Sequence, residues 1–346
     1  MTDDFTLASL GWRPFFQQQL SLEEWELAVP ARILEQHRTE LELATEYGMQ
    51  ILAVTPSIPV LTVGDWVLLD QRGGFLRLLE RQSCFRRKAA GSKVAEQLLG
   101  ANIDSAFIVC SLNDDFNLNR IERYLSVVNN AGVEPVVVLT KIDLCPDPAG
   151  LLQAVQGLDR RLCVVAVNAL SVESVAALEP WCQPGRTIVL LGSSGAGKST
   201  LGNTLMAESR QRTQSIREDD AKGRHTTTRR SLLPLPGGAM IMDTPGMREL
   251  QLADCDEGIS ATFADIEELA ERCRFGDCHH DSEPGCAVRQ AIEAGRLDER
   301  RFLNYRKLSR EQAFNSASLS QRRAGDRALG RFYKRAQKAS REMKSR

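Results

Sequence analysis

The chain has 346 residues, 42% hydrophobic and 26% charged, with a formal net charge of −1. This is ordinary globular composition, and the length predicts two or three domains. No apolar run approaches the ~18–20 residues of a membrane span, and the acidic start MTDDFTLASLGW is no export leader, so a cytoplasmic protein without membrane contact is expected.

Residues 1–30 carry Trp12, Phe15, Phe16 and Trp25, which predict a small apolar cluster packed on the adjoining strands. From Ala31 to Lys88 the expected strands are Ala31–Gln36, Glu40–Thr45, Met49–Thr55, Asp65–Asp70 and Phe75–Arg81. Gly48, Pro56, Pro59, Gly64 and Gly73-Gly74 break them. Such a series predicts a small barrel over residues 31–90, an oligonucleotide-binding fold first and an SH3-like barrel second. Arg81, Arg86, Arg87, Lys88 and Lys93 form a basic exit that suits phosphate contacts or a solvated linker.

From Asn102 strands and helices alternate, the pattern of a parallel sheet covered by helices. Ala106–Cys110 reads as a buried strand, and Leu118–Asn130 has helical spacing through Ile121, Leu125 and Val128. Val133–Leu139 is a second strand, delivering Thr140-Lys141-Ile142-Asp143 where ligands bind in open α/β sheets. This tetrapeptide resembles the guanine-specificity motif [NT]-K-x-D. The carboxylate of Asp143 would accept from guanine N1–H and the 2-amino group, donors that adenine lacks. Lys141 would lie across the base, and Thr140 stands where Asn is commoner. Leu162–Val167 ends at Asn168-Ala169-Leu170, which resembles a loop whose backbone touches guanine O6, with Asn in place of Ser.

Thr187–Leu191 then enters Gly192-Ser193-Ser194-Gly195-Ala196-Gly197-Lys198-Ser199-Thr200, matching G-x-x-x-x-G-K-[ST] between a strand and a helix. Glycines let backbone N–H groups turn toward phosphates, Lys198 reaches the terminal phosphates, and the Ser199 hydroxyl suits Mg²⁺. In Gly223–Thr228 the threonines Thr226, Thr227 and Thr228 suit a switch that completes the Mg²⁺ shell. Ala239–Met242 leads to Asp243-Thr244-Pro245-Gly246. There Asp243 fits a water-mediated Mg²⁺ partner, and the Gly246 N–H fits a γ-phosphate sensor. The base loops thus precede the phosphate loop, a rotated order. A parallel sheet tolerates it because every element sits on one edge.

The nine cysteines are an odd number in a chain without an export leader, which argues against a disulfide framework. Cys273-x₄-Cys278-x-His280-x₅-Cys286 instead gathers three thiols and an imidazole, the complement of a closed structural Zn²⁺ site, with the adjacent His279 left open by spacing alone as the imidazole ligand. Ala287–Ala294 and Leu297–Ser309 read as helices. From Arg300 to Arg346 there are 15 Lys and Arg against 3 Asp and Glu, a net of +12 that leaves −13 for the rest. That basic end points to a polyanion, nucleic acid first, and the tail from Gln312 suits a helix ordered on RNA.

The barrel, GSSGAGKST, TKID, RHTTT, DTPG and the cysteine cluster together resemble the ribosome small-subunit-dependent GTPase A family (RsgA) from about residue 31 onward. The resemblance implies a circularly permuted α/β P-loop GTPase domain (91–265) after an oligonucleotide-binding barrel (31–90). A helical zinc domain with a basic tail (266–346) comes last. It also implies Mg²⁺-dependent GTP hydrolysis to GDP, binding to the small ribosomal subunit and its rRNA late in assembly, and release after hydrolysis. Met247 succeeds Gly246 where many GTPases carry a water-positioning Gln, so slow intrinsic turnover is expected. In the resembled family a His at the place of His225 is the catalytic candidate. The competing readings are an ATP enzyme on the same loop, an RNA-binding assembly factor whose nucleotide site is only a switch, and a GTPase of another RNA particle. A monomer is expected.

Overall fold

The computed structural model describes residues 5–88, 96–206, 230–243 and 255–316. Two short helices, α1 (Pro14–Gln17) and α2 (Leu22–Leu27), lead into β1 (Val29–Gln36), β2 (Glu40–Thr45), β3 (Gly48–Ala53), β4 (Trp66–Leu69) and β5 (Phe75–Leu78). A ribbon of β6 (Cys84–Lys88) and β7 (Glu96–Ala101) comes next. The central region runs β8 (Ser105–Ser111), α3 (Leu118–Asn130), β9 (Glu134–Thr140), α4 (Pro148–Gln156), β10 (Cys163–Ala166) and α5 (Val172–Val175). It continues through β11 (Thr187–Leu191), α6 (Lys198–Met206), β12 (Arg230–Pro234) and β13 (Met240–Asp243). Helices α7 (Asp256–Thr262), α8 (Ala264–Ala270), α9 (Ala287–Glu293) and α10 (Glu299–Ser316) complete the described chain.

The five expected N-terminal strands pair antiparallel in the order β3–β2–β1–β4–β5. Alternate residues Ala31, Ile33, Leu41, Leu43, Val67 and Leu69 fill one apolar core between them, as period-two patterning requires. Trp12, Phe15 and Phe16 form the expected aromatic cluster, and Trp66 of β4 joins it, 4.9 Å from Trp12 between ring centroids. Trp25 does not take part and is exposed. Helix α2 is held instead by its capping box of Ser21 and Glu24 and by Arg77 of β5, whose Nε donates to Glu24 at 2.6 Å. That guanidinium, with the Ser21 N–H, draws the Glu24 carboxyl down to about 2.

The central strands β10–β9–β8–β11–β13 are parallel. Every residue of β8 is buried, the mark of a strand covered on both faces. The β6–β7 ribbon, in the stretch read as a basic exit, and strand β12 were not legible in the sequence. Strand β12 lies antiparallel between β13 and β1, so that the N-terminal strands and the parallel sheet are hydrogen-bonded into one surface. Its five residues, RSLLP, end in proline and lack alternation.

The expected helix 118–130 forms with those bounds, capped by the Asn117 side chain on Arg120 N–H. Beyond its apolar face, Glu122 and Ser126 are also buried, because α7 and α10 cover that side. Glu122, fully buried, accepts from Arg300 Nη1 at 2.8 Å, Arg301 Nη1 at 2.8 Å and Asn304 Nδ2 at 2.6 Å. Arg301 also forks onto Asp265 at 2.8 and 3.0 Å. Replacing Glu122 by Ala leaves Arg301 buried without this partner. The expected loss is about 3–5 kcal/mol, read as a lower midpoint in denaturant unfolding; an unchanged midpoint would show that Asp265 alone satisfies the cation.

A candidate nucleotide site and a candidate metal centre

All five parallel strands end at one edge of the sheet: β8 at Ser111, β9 at Thr140, β10 at Ala166, β11 at Leu191 and β13 at Asp243. The loops that chain order scatters between residues 140 and 243 are therefore neighbours.

The glycine-rich loop leaves β11 at Gly192, whose φ of +147° an L side chain rarely adopts. A Cβ there would stand 2.2 Å from the Val109 carbonyl oxygen, so only glycine lets the loop cross β8 this closely. Lys198, the first residue of α6, folds back so that Nζ donates to the Ser193 carbonyl. The loop is tied at two points. Ser193 Oγ donates to Asp115 Oδ2 at 2.9 Å, and Thr140 Oγ1 donates to the Ala196 carbonyl at 2.6 Å. Gly197 lets Thr140 approach, since a Cβ at 197 would sit 3.2 Å from that hydroxyl. Ser194, Gly195 and Ser199 are exposed along the loop, and Thr200 is half-buried on α6.

Thr140 stands where Asn is commoner in this motif, and its hydroxyl still reaches across to the glycine-rich loop. Lys141 takes the left-handed conformation at φ +60°, turning the chain into a single 3₁₀ turn of Ile142–Leu144 that presents Asp143 to solvent. The Leu112 N–H donates to the Thr140 carbonyl at 2.9 Å, linking the β8 and β9 exits. On the far side, Asn168 Oδ1 accepts from Leu170 N–H at 3.0 Å, and the Ala169 carbonyl accepts from Thr204 Oγ1 of α6 at 2.6 Å. Asp243 ends β13 exposed, at the same edge. His225, Thr226, Thr227, Thr228 and Gly246 lie outside the described residues, as does the basic tail from residue 317.

The thiols of Cys273, Cys278 and Cys286 and the imidazole of His280 lie within 4.8 Å of one another. Cys273 Sγ is 3.5 Å from His280 Nδ1 and 3.9 Å from Cys286 Sγ, and His280 Nδ1 is 3.4 Å from Cys286 Sγ. A tetrahedral ion with Zn–S of about 2.3 Å and Zn–N of about 2.0 Å has edges of about 3.5–3.8 Å, so the donor set fits Zn²⁺. Burial holds the His280 imidazole toward its neutral, ligating form. Cys286 also caps α9, accepting from the Arg289 N–H at 3.4 Å.

Two residues that touch the motif loops were missed from sequence, Asp115 and Thr204. Their one signal is position: Asp115 comes after a buried strand at the ligand-bearing edge, and Thr204 lies in the second turn of α6.

A family model described as RsgA GTPase matches residues 78–253. The small ribosomal subunit biogenesis GTPase RsgA 2 of Vibrio vulnificus (strain CMCP6) is 58% identical over 99% of this chain and 98% of its own. Small ribosomal subunit biogenesis GTPase RsgA of Xylella fastidiosa (strain 9a5c) is 50% identical over 82% of this chain and 85% of its own. Among solved structures, YjeQ from Thermotoga maritima matches with a TM-score of 0.60 at 22% identity, over 82% of this chain and 97% of that one. YloQ, a circularly permuted GTPase, matches at 0.58 and 23% identity, over 81% and 93%. The rotated order of loops around one sheet edge is thus a fold shared with solved structures, and with identity sustained along the whole length the chain belongs to the RsgA GTPase family.

Proposed function

We propose that this chain binds GTP at the shared sheet edge, hydrolyses it with Mg²⁺, and uses the cycle to act on the small ribosomal subunit late in assembly. The observation that carries the reading is the Thr140–Ala196 hydrogen bond. It fastens the base-reading tetrapeptide directly to the glycine-rich loop, so that purine and phosphates of one ligand are read together.

In this reading Gly192–Thr200 cradles the phosphates, Lys198 meets the terminal ones, and Ser199 and Asp243 hold Mg²⁺, directly and through water. The ion would supply charge neutralisation at the phosphates. Asp143 selects guanine, Lys141 lies over the base, Thr140 and Ile142 set the turn, and Asn168-Ala169 meets O6. Gly246 and one of Thr226–Thr228 sense the γ-phosphate, and His225 orients the attacking water once the subunit engages that segment. Cys273, Cys278, His280 and Cys286 hold one structural Zn²⁺. With four protein donors the metal keeps no open position, so it shapes the helical domain. The barrel and the basic end contact rRNA. The division at residues 30, 90 and 265, a cytoplasmic location and a monomeric state complete the proposal. Among the described residues no helix is long and apolar enough to cross a membrane.

The names of the relatives favour the small subunit over other RNA particles. The deciding experiment is hydrolysis of GTP against ATP by the purified protein, with and without isolated small ribosomal subunits. Slow GTP-specific turnover that rises strongly with the subunit is expected, and turnover indifferent to it removes the ribosome from the mechanism. His225→Ala should retain GTP binding and lose the stimulated turnover; full stimulated turnover would remove the imidazole from the reaction.

The base and metal sites can each be tested alone. Asp143→Asn forfeits charge-assisted bonds of about 1.5–3 kcal/mol each, so guanine nucleotide affinity should fall at least ~100-fold while ATP binding stays equally weak. Metal analysis should find one zinc per chain, and Cys286→Ser should lose it and lower the melting temperature. A metal-free wild type of equal stability would refute the zinc assignment.

A further inference from the structure

One local rule is broken beside the glycine-rich loop. The first turn of α3 carries no acidic residue and does carry Arg120, although the positive dipole end of a helix favours anions there. Arg120 Nη1 is spent on Asp115 Oδ2 at 2.6 Å, the same oxygen that accepts from Ser193 Oγ at 2.9 Å. Asp115 is itself fixed: its N–H donates to Asn113 Oδ1 at 3.2 Å, and Asn113 Oδ1 accepts from Ser111 Oγ at 2.7 Å. Arg120 first, and Ser193 second, hold its carboxyl below the usual range, so it is ionised at neutral pH. A fixed negative charge one hydroxyl away from a site for a polyanion should repel that ligand.

We propose that Asp115 and Arg120 are a positioning pair for the phosphate site: Asp115 fixes Ser193, whose carbonyl holds Lys198, and Arg120 cancels the charge that this anchoring brings. The pair rests on the reading that the glycine-rich loop binds the phosphates of GTP. What that site needs from Asp115 is an acceptor oxygen. The charge is a by-product, and Arg120 is tolerated at the wrong end of a helix because it removes it. The roles are separable by substitution. Asp115→Asn keeps an acceptor for Ser193 and discards the charge; Asp115→Ala discards both. Arg120→Gln leaves the charge bare.

Binding of a fluorescent, non-hydrolysable GTP analogue to the full-length protein at low and moderate salt tests this. Arg120→Gln should weaken binding on the order of tenfold at low salt, with the penalty shrinking as ionic strength rises. Its melting temperature should hold or rise, since a cation leaves a helix N-terminus. Asp115→Asn should bind within a few-fold of wild type, and Asp115→Ala clearly more weakly than Asp115→Asn. The double substitution Arg120→Gln/Asp115→Asn should recover most of the affinity that Arg120→Gln loses. A purely structural role predicts no such recovery, so a double variant as weak as Arg120→Gln overturns the pair while leaving GTP binding intact. A wild-type chain that does not bind the analogue overturns the phosphate-site reading and the pair with it.

Discussion

The arrangement of this molecule hangs on one buried cation, the guanidinium of Arg32. It is 1% exposed and sits where three parts of the chain meet. It donates to the carbonyls of Leu10 in the N-terminal segment and Asn102 before β8, and to Thr187 Oγ1 at the head of β11. Burial pulls it down to about 10, against the pull of the nearby Asp104 and Asp65 carboxylates. A desolvated charge is costly unless its donors are engaged; the buried Nε finds no partner among the described residues, so the two Nη groups depend on all three of those oxygens being in place together. The N-terminal β domain therefore cannot dock independently of the strand that delivers the glycine-rich loop. The N-terminal segment is the third party to this lock rather than an appendage, and Arg13 reinforces it by pairing with Asp104 at 2.7 Å.

The parts legible in the sequence are those whose physics is local. Strand β11 and helix α3 form with the expected bounds because a β-branched run and a 3.6-residue repeat decide them without help. The loops at the sheet edge are set by glycine and motif spacing, and the thiol–imidazole cluster by the density of soft ligands. What was hidden depends on partners far along the chain. Nothing near Arg32 or Glu122 marks either as a buried charge; each is explained only by carbonyls or cations more than 20 residues away. Thr140 shows the limit in a finer way. Residue type alone reads it as a shortened Asn, but the glycine across from it at position 197 brings the loop near enough for a hydroxyl to suffice. Strand β12 forms because two edges lie open beside it, which no window of its own sequence reveals.

Helix α3 emerges as the wall shared by two halves of the molecule. Its first turn meets the glycine-rich loop through Arg120 and Asp115, and two residues after Arg120, Glu122 gathers Arg300, Arg301 and Asn304 of α10. Arg123 adds a fork onto Glu311 further along α10. The helical domain is thus bonded to the element that borders the ligand edge, through a buried carboxylate that water does not screen. Its position and that of the loop are set by one rigid rod of 13 residues.

The seam between β1 and β12 has a mechanical meaning. It is two residue pairs long, Glu35 with Ser231 and Gln36 with Arg230, and Arg230 spans it with side-chain bonds to Gln36 and the Leu98 carbonyl. In chain order β12 and β13 stand between the two segments proposed as switches. A load applied to the N-terminal β domain is therefore delivered to the strands between them, across a joint that is short beside the seven-residue pairing of β8 with β9. Side-chain bonds from Arg230 and from the buried Arg32 share that load with the joint.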